Sequence, residues 1–348
     1  MKNRQSFTDI SAAVGKEVAY LKVTTRLAAS KSRGGDKSIR KANRKSRWRT
    51  TGRRLWSDRQ LYLMLIPFLL FYALFVYKPM WGLQIAFKDY NIFKGMSGSD
   101  WIGFENFATI FGNPYFFRIL RNTLLISLYS LIFSFPMPII LALLLNEVRK
   151  KPFKSAVQTC TYLPYFISTV VVAGMVTNFL APSNGIVNII LDKMGMDKIY
   201  FLSKPEYFRT IFIAQGIWQN TGYSAIVYIA ALGGIDMELY DAAKVDGCGR
   251  WKQTLHVTLP GLMPTIVTMF IIAVGNILNV GYEKIILLYQ PATYETADVI
   301  STYVYRLGIE QADYGVSTAM GLFNSVVGFI FVFAANKLSN KINGTGLW

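Results

Sequence analysis

The chain has 348 residues, of which 52% are hydrophobic and only 16% are charged, and its formal net charge is +17. A soluble protein of this size needs more charged surface, so the composition excludes an ordinary soluble domain and indicates a membrane protein. Two cysteines and one histidine are too few for a metal site of ordinary ligand count.

The N-terminal segment 1–59 carries most of the positive charge, and its densest part is residues 37–54. A basic tail of this kind can bind nucleic acid or anionic lipid. We favour a simpler interpretation, in which the charge holds the N-terminus in the cytoplasm, with contact to lipid headgroups and no nucleic-acid partner. The first apolar run begins only near Leu61, which argues against a cleaved signal peptide.

Six apolar stretches follow, each long enough to cross a bilayer and free of charged residues. Because the stretches are continuous and do not alternate with polar residues, they predict helices and not a closed barrel. The predicted fold class is an all-α, polytopic membrane bundle of six transmembrane helices. The predicted spans are 61–77, 122–145, 155–180, 210–235, 262–282 and 315–336. Pro136 and Pro138 are expected to bend the second span.

The distribution of Lys and Arg between the spans predicts their orientation. With the N-terminus inside, the cytoplasmic loops are 146–154 and 236–261, and both are rich in Lys and Arg. The external loops 181–209 and 285–314 carry charges of both signs. The sequence therefore predicts a multi-pass protein with its N- and C-termini in the cytoplasm.

The cytoplasmic loop 236–261 has the pattern of a short amphipathic helix followed by a turn. Leu239, Ala242 and Ala243 recur at three- and four-residue steps. The small alanine side chains let a partner groove approach the backbone closely, and Gly247 permits a sharp turn. A short helix of this kind lying across the membrane axis can move as a rigid lever.

This loop resembles the cytoplasmic EAA loop of bacterial ABC importer permeases, in which E-A-A-x-x-x-G is followed nine residues later by I-x-L-P. The chain departs from that pattern twice, with Asp241 in place of Glu and Val257 in place of Ile. In that family the loop forms the coupling helix, which docks on an ATPase subunit. The resemblance thus implies an ATPase-coupling role for Asp241, Ala242, Ala243, Gly247, Leu259 and Pro260.

The resemblance covers roughly residues 60–348. Two C-terminal runs, D-V-I-S-T-Y-V-Y-R at 298–306 and Y-G-V-S-T-A-M-G-L-F-N-S at 314–325, look like the oligosaccharide and polysaccharide branch of these permeases. We divide the chain into four segments on this basis. They are a basic cytoplasmic tail (1–59), a first transmembrane helix with an external segment (60–120), an ABC transmembrane type-1 permease core (121–338) and a cytoplasmic C-terminal tail (339–348).

The resemblance implies a type I ABC importer permease fold with six transmembrane helices and a cytoplasmic coupling helix. The chain is then a transport subunit of the bacterial cytoplasmic membrane and not an enzyme. It needs no cofactor, because ATP and Mg are used by a partner ATPase. The implied partners are a second permease subunit, an ABC ATPase dimer, an extracytoplasmic solute-binding protein, the sugar that this protein delivers, and the lipid bilayer.

Candidate substrate contacts are polar and aromatic side chains within or beside the later spans. A neutral sugar is bound by paired hydrogen bonds and by aromatic faces against its C–H surfaces. Polar groups at membrane depth face the bundle interior or water, although they also join helices by hydrogen bonds. The candidates are Trp218, Asn220, Tyr223, Asn276, Asn279, Tyr282, Glu283 and Asn324.

Three candidates, Asn276, Asn279 and Glu283, are three and four residues apart and are expected on one helical face. Glu283 and Lys284 interrupt an otherwise apolar run from 262 to 289. Two interpretations of this pair stay open. It is either an interfacial ion pair with Lys284 extending outward to water, or a gate or sugar-facing carboxylate near the external mouth.

Two alternative functions also stay open. The first is a permease of the same superfamily for a solute other than a sugar. The second is a different class, either a secondary transporter or a membrane-anchored nucleic-acid-binding protein. A secondary transporter is expected to place ionisable residues at mid-membrane, and the six predicted spans contain none.

Overall fold

The structure is a computed structural model that describes residues 58–343. This part of the chain is helical almost throughout and includes one two-stranded sheet, so the predicted all-α membrane fold class is confirmed. Nearly all of the predicted tail 1–59 and the last residues of the C-terminal tail lie outside the described residues.

Within residues 58–343, four helices are long and apolar enough to cross a membrane. They are Arg59–Phe87, Phe116–Glu147, Arg250–Gly275 and Tyr314–Lys341, at the places of the first, second, fifth and sixth predicted spans. The number rises to five when a sharply bent pair, Lys151–Phe166 with Thr169–Phe179, is counted as one crossing.

The chain divides into two compact units, Met1–Trp81 and Gly82–Trp348. The described part of the first unit is helical and consists of α1 (Arg59–Phe71), a π-helical turn (Tyr72–Tyr77) and α2 (Lys78–Met80). None of these residues is buried, and side chains such as Leu63, Met64 and Phe75 are largely exposed. An apolar exterior all around a helix is the surface that a lipid-facing span presents.

The second unit contains a small sheet and fifteen α-helices within its described residues. In chain order they are β1 (Lys88–Asp89), α3 (Gly95–Gly98), β2 (Asp100–Trp101), α4 (Glu105–Gly112), α5 (Phe116–Tyr129), α6 (Pro136–Glu147), α7 (Lys151–Tyr162), α8 (Thr169–Phe179), α9 (Ile186–Lys193), α10 (Pro205–Leu232), α11 (Met237–Val245), α12 (Arg250–Gln253), α13 (Leu259–Gly275), α14 (Tyr282–Leu288), α15 (Tyr294–Ala297), α16 (Ile300–Tyr305) and α17 (Tyr314–Asn343). The two strands pair antiparallel, with Lys88 opposite Trp101.

The second predicted span is one continuous helix. It joins α5 to α6 through a π-helical turn at Ser130–Ser134, and Pro136 follows that turn directly. Proline has no amide hydrogen, and its ring clashes with the carbonyl four residues earlier. A π-helical turn loosens the hydrogen-bond ladder at that place, so the prolines are accommodated without ending the helix.

The third predicted span, 155–180, is broken into two helical parts and is not one continuous helix. A 3₁₀ turn (Leu163–Phe166) ends the first part, and α8 begins after a bend of 99°. Ser168 caps α8, because its hydroxyl accepts a hydrogen bond from the Val171 amide at 3.4 Å. Uniform apolar composition predicts a helix but does not show a break of this kind.

The fourth predicted span, 210–235, lies in α10 as far as Leu232, and α10 has 28 residues. At 1.5 Å per residue this helix is about 42 Å long, enough to cross a bilayer. It is not among the four helices within residues 58–343 that are both long and strongly apolar. Gln215, Gln219 and Asn220 make its middle more polar than the other spans.

The fifth predicted span, 262–282, extends too far at its C-terminal end. α13 stops at Gly275 and α14 starts at Tyr282, so residues 276–281 form a non-helical connection. A Cβ on Gly275 would lie 2.6 Å from Cγ2 of Val332, which shows how closely α13 packs against α17. Asn276, Asn279 and Glu283 therefore do not share one helical face, contrary to the prediction.

The core of the second unit consists of three clusters of buried side chains. One lies around Phe212 and Ile285, the second around Ile119 and Met320, and the third around Tyr228. The first and third clusters hold α10 against α5, α6, α13 and α14. This arrangement positions the polar side chains described below.

Gly222 in α10 packs directly against α7, since a Cβ there would lie 2.0 Å from the carbonyl oxygen of Thr161. We expect Gly222→Ala to destabilise the protein by about 1–3 kcal/mol, because overpacking forces the two helices apart. The measurements are membrane abundance and the thermal-unfolding midpoint of the purified protein. Gly321→Ala in α17 is the matched control, because a Cβ there meets nothing within 4 Å. Equal midpoints for the two variants would contradict this packing.

Candidate functional site

The loop that resembles a coupling loop begins with a capped helix, α11. The Asp236 side chain accepts a hydrogen bond from the Glu238 amide at 2.9 Å and so satisfies one of the free donors at the helix N-terminus. Ala242 and Ala243 follow in the second half of the helix. None of the residues of α11 is buried.

The C-terminus of α11 is closed by Gly247. The Cys248 amide donates to the Ala243 carbonyl at 2.8 Å, and the Gly247 amide donates to the Lys244 carbonyl at 3.0 Å. These two bonds form a Schellman motif, and the φ angle of Gly247 is +75°. Glycine adopts this left-handed conformation without strain, which explains why a glycine occupies this turn.

The exposed surface of this loop is partly apolar. Leu239, Val245 and Trp251 are all exposed, Val245 to 88% of its full area. Asp241 accepts a hydrogen bond from Lys244 at 2.8 Å, and both side chains are exposed. Such a surface ion pair contributes about 0–1 kcal/mol, so Asp241 can exchange it at low cost for a basic group on another protein.

A hydrogen bond connects the loop to the base of α13. The hydroxyl groups of Tyr240 in α11 and Thr258 lie 3.0 Å apart. α13 starts at Leu259, with Pro260 in its first turn. A displacement of α11 can therefore be passed to the helix that follows.

A cavity of about 530 Å³ lies among the second span, α10 and the segment from α13 to α14. Aromatic and aliphatic side chains, among them Phe135, Phe212 and Met269, form its apolar wall. Its polar groups are mostly hydroxyls and amides, together with one ammonium group. These polar residues are Ser127, Ser130, Ser134, Asn220, Thr221, Ser224, Tyr228, Asn276, Asn279 and Lys284.

Three of the predicted substrate contacts, Asn220, Asn276 and Asn279, line this cavity. The amides of Asn220 and Asn276 each donate to a carbonyl one turn earlier in the chain. Asn279 accepts a hydrogen bond from Asn324 of α17 at 3.1 Å. Asn279 therefore both lines the cavity and joins two segments, whereas Asn324 does only the second.

The three aromatic candidates do not line the cavity. Trp218 lines a separate and mainly apolar pocket against α8. Tyr223 stacks on Tyr165 with ring centroids 3.8 Å apart, and Tyr282 stacks on Tyr305 at 5.6 Å. Hydropathy indicates the depth of a residue in the membrane but not the direction in which its side chain points.

Lys284 does not extend outward, so that interpretation was wrong. Its Nζ donates to the Phe212 carbonyl oxygen and lies 3.9 Å from the centroid of the Phe212 ring. Gly216 makes room for the ammonium group, because a Cβ there would lie 3.2 Å from Nζ. Among residues 58–343 Glu283 forms no ion pair with Lys284, and Glu283 is exposed and outside the cavity lining.

Several cavity residues were not predicted although the sequence carries a signal for them. Ser127, Ser130 and Ser134 lie three and four residues apart, the spacing of one helical face. Thr221 and Ser224 repeat the same spacing on α10. Small hydroxyl residues at helical spacing within an apolar span were a sign of a polar face directed into the bundle.

The connection after α13 is held against its neighbours by hydroxyl groups. Ser127 donates to the Ile277 carbonyl, and Ser301 donates to the Val280 carbonyl at 2.6 Å. Free carbonyls of a non-helical segment need partners at membrane depth. These bonds supply them and fix the wall that carries Asn279.

Residues 134–344 match the family described as binding-protein-dependent transport system inner membrane component. Protein LplB of Bacillus subtilis (strain 168) is 44% identical over 291 residues, which are 84% of this chain and 92% of LplB. The polygalacturonan/rhamnogalacturonan transport system permease protein YteP of the same organism is 42% identical over 295 residues, 85% of this chain and 92% of YteP.

A solved structure is also similar. It is a crystal structure of a bacterial alginate ABC transporter in complex with an alginate pentasaccharide-bound periplasmic protein. One of its chains has a TM-score of 0.79 and 49% sequence identity, with 85% of this chain and 99% of that chain covered. Since the family match includes more than half of the residues, the chain belongs to the inner membrane components of binding-protein-dependent transport systems and is a permease subunit of an ABC importer, not an enzyme.

Proposed function

We propose that this chain forms the pathway by which an ATP-driven importer moves an oligosaccharide across the bacterial cytoplasmic membrane. The observation that carries the proposal is the cavity of about 530 Å³, lined by hydroxyls, amides and aromatic rings. Hydroxyl and amide groups both donate and accept hydrogen bonds, and aromatic faces suit the C–H surfaces of sugars. The names of YteP and of the alginate transporter, which refer to polysaccharides, support this substrate class.

The proposed partners follow from the exposed coupling loop and from the relatives. We place the coupling residues Asp241, Ala242, Ala243 and Gly247 against an ATPase subunit of an ATPase dimer, which supplies ATP and Mg chemistry. A second permease subunit completes the membrane pathway, and an external solute-binding protein delivers the sugar. Both termini lie in the cytoplasm in this arrangement.

The geometry suggests how ATPase motion reaches the cavity. Both ends of α11 are capped, which favours movement of the helix as one unit. The bond between Tyr240 and Thr258 links it to the base of α13. The far end of α13 and the following connection line the cavity through Met269, Asn276 and Asn279. A shift of α11 therefore tilts α13 and changes the cavity wall.

Asn279→Leu tests the proposal by its effect on uptake. We expect the importer's apparent affinity for its oligosaccharide within the cavity to fall about ten- to hundredfold, because a lost hydrogen-bond partner costs about 1–3 kcal/mol. The measurement is ATP-dependent uptake of labelled oligosaccharides into proteoliposomes that contain this chain with its partner permease and ATPase, with saturated binding protein outside. Uptake without ATP or without the ATPase would contradict the proposal.

Asn324→Leu is the matched control for this experiment. It removes the same hydrogen bond to Asn279 at 3.1 Å but takes no group away from the cavity lining. Normal uptake by this control together with reduced uptake by Asn279→Leu indicates a substrate contact. An equal reduction in both variants, matched by lower membrane abundance, would show that Asn279 only joins helices.

A further inference from the structure

Lys284 is the only charged side chain among the described residues that line the cavity. No carboxylate of residues 58–343 lies within 4.0 Å of its Nζ. The exposed Glu283 beside it is not part of the lining. The described lining therefore contains one basic side chain and no carboxylate.

The position of this ammonium group is specific. It lies in a niche formed by the Phe212 carbonyl, the Phe212 ring and the bare backbone of Gly216. A lysine ammonium has three N–H donors, and one of them is used by the Phe212 carbonyl. Partly burying a cation without an opposite charge costs free energy, and an anion that enters the cavity recovers part of that cost.

We infer that the oligosaccharide carries carboxylate groups, as sugars built from uronic acids do, and that one of these carboxylates pairs with Lys284. This inference rests on the proposed function and narrows its substrate class. A carboxylate only accepts hydrogen bonds, and the ammonium, amide and hydroxyl groups of the lining all donate them. A site built for neutral sugars gains from protein carboxylates that accept sugar hydroxyl donors, and no described lining residue supplies one.

A structural role for Lys284 is the competing explanation. The bond from Lys284 to Phe212 ties α14 to α10 across 72 residues of sequence. If that were its whole function, replacing Lys284 would affect every substrate equally. The two explanations are therefore separated by comparing an acidic with a neutral probe of the same size.

The experiment measures equilibrium binding of two labelled trisaccharides to the complete importer in lipid nanodiscs, without binding protein. The probes are trigalacturonate and α-1,4-linked galactotriose, which differ only in having a carboxylate or a hydroxymethyl group on each ring. We expect the wild-type importer to bind trigalacturonate about tenfold more tightly. Lys284→Gln should abolish that preference, while Lys284→Arg should retain it.

Each outcome bears on the inference. An alginate pentasaccharide serves as a second acidic probe, in case the cavity selects another uronic acid. Equal or tighter wild-type binding of galactotriose overturns the inference but leaves an oligosaccharide importer in place. Equal loss of both probes in Lys284→Gln overturns it in favour of the structural role. Failure to bind any probe overturns it too. If ATP-dependent uptake of every oligosaccharide tested with the binding protein is also absent, the proposed function fails with it.

Discussion

Asp298→Ala is expected to destabilise the protein by about 3–5 kcal/mol, because it leaves a partly buried arginine without its opposite charge. Asp298 is only 2% exposed. Its Oδ2 lies 2.7 Å from Nη2 of Arg306, and the Thr302 hydroxyl donates to its Oδ1, also at 2.7 Å. Burial alone would lower the pKa of Arg306, but the hydrogen bond and charge of Asp298 outweigh burial and raise that pKa.

The backbone of Asp298 also takes part in hydrogen bonds between helices, so the substitution is expected to affect more than the ion pair with Arg306. Asn122 donates to the carbonyls of Glu295 and Asp298 at 2.9 and 3.1 Å, and it accepts a hydrogen bond from Arg209 at 2.8 Å. These contacts join α5, α10 and the segment that leads into α16. Loss of the Asp298 carboxylate should therefore loosen this part of the bundle as well as one ion pair.

Urea or thermal unfolding of the purified protein measures this difference, and Asp192→Ala is the control. Asp192 pairs with Lys198 at 3.7 Å, and both side chains are largely exposed. An exposed pair of this kind contributes about 0–1 kcal/mol. Similar stability of the two variants would show that the Asp298–Arg306 pair does not support the fold.

Gly247→Val is expected to reduce oligosaccharide uptake at least tenfold while the protein still inserts and its ATPase partner still hydrolyses ATP. Gly247 has a φ angle of +75°, and a β-branched residue in that region costs about 1–3 kcal/mol of strain. A cost of 1.4 kcal/mol corresponds to a factor of ten in an equilibrium constant. The strain unwinds the C-terminus of α11, so the lever loses its fixed shape.

Two control variants separate backbone conformation from loss of glycine as such. Gly247→Asn should keep most uptake, because asparagine tolerates the left-handed region. Gly249→Val should also be mild, because Gly249 has a φ angle of −67° and a Cβ there meets nothing within 4 Å. Normal uptake by Gly247→Val, or an equal loss of uptake in Gly249→Val, would contradict the proposal that α11 transmits ATPase motion to α13. The uptake and ATP-hydrolysis rates are measured on the same proteoliposomes.

The sequence by itself predicted the membrane class, the places of most spans and the helix of the coupling loop. These features depend on local physics. Continuous apolar runs need helical backbone in lipid, and Asp236 and Gly247 have the chemistry that starts and ends a helix. The cap and the Schellman turn are found where that chemistry predicts them. Their partners are at most five residues away, so no distant contact was needed.

The inner surface of the bundle, by contrast, was decided by contacts between residues far apart in sequence. Lys284 points inward because Gly216, on another helix, leaves room for its ammonium group. The end of α13 at Gly275 accompanies its close approach to Val332 of α17. Composition shows that a residue lies within a span, but the direction of its side chain depends on which helix packs beside it and how closely. For that reason Asn279, a candidate from the sequence, does line the cavity, whereas one of the two interpretations of Lys284, an ammonium group extending outward, was wrong.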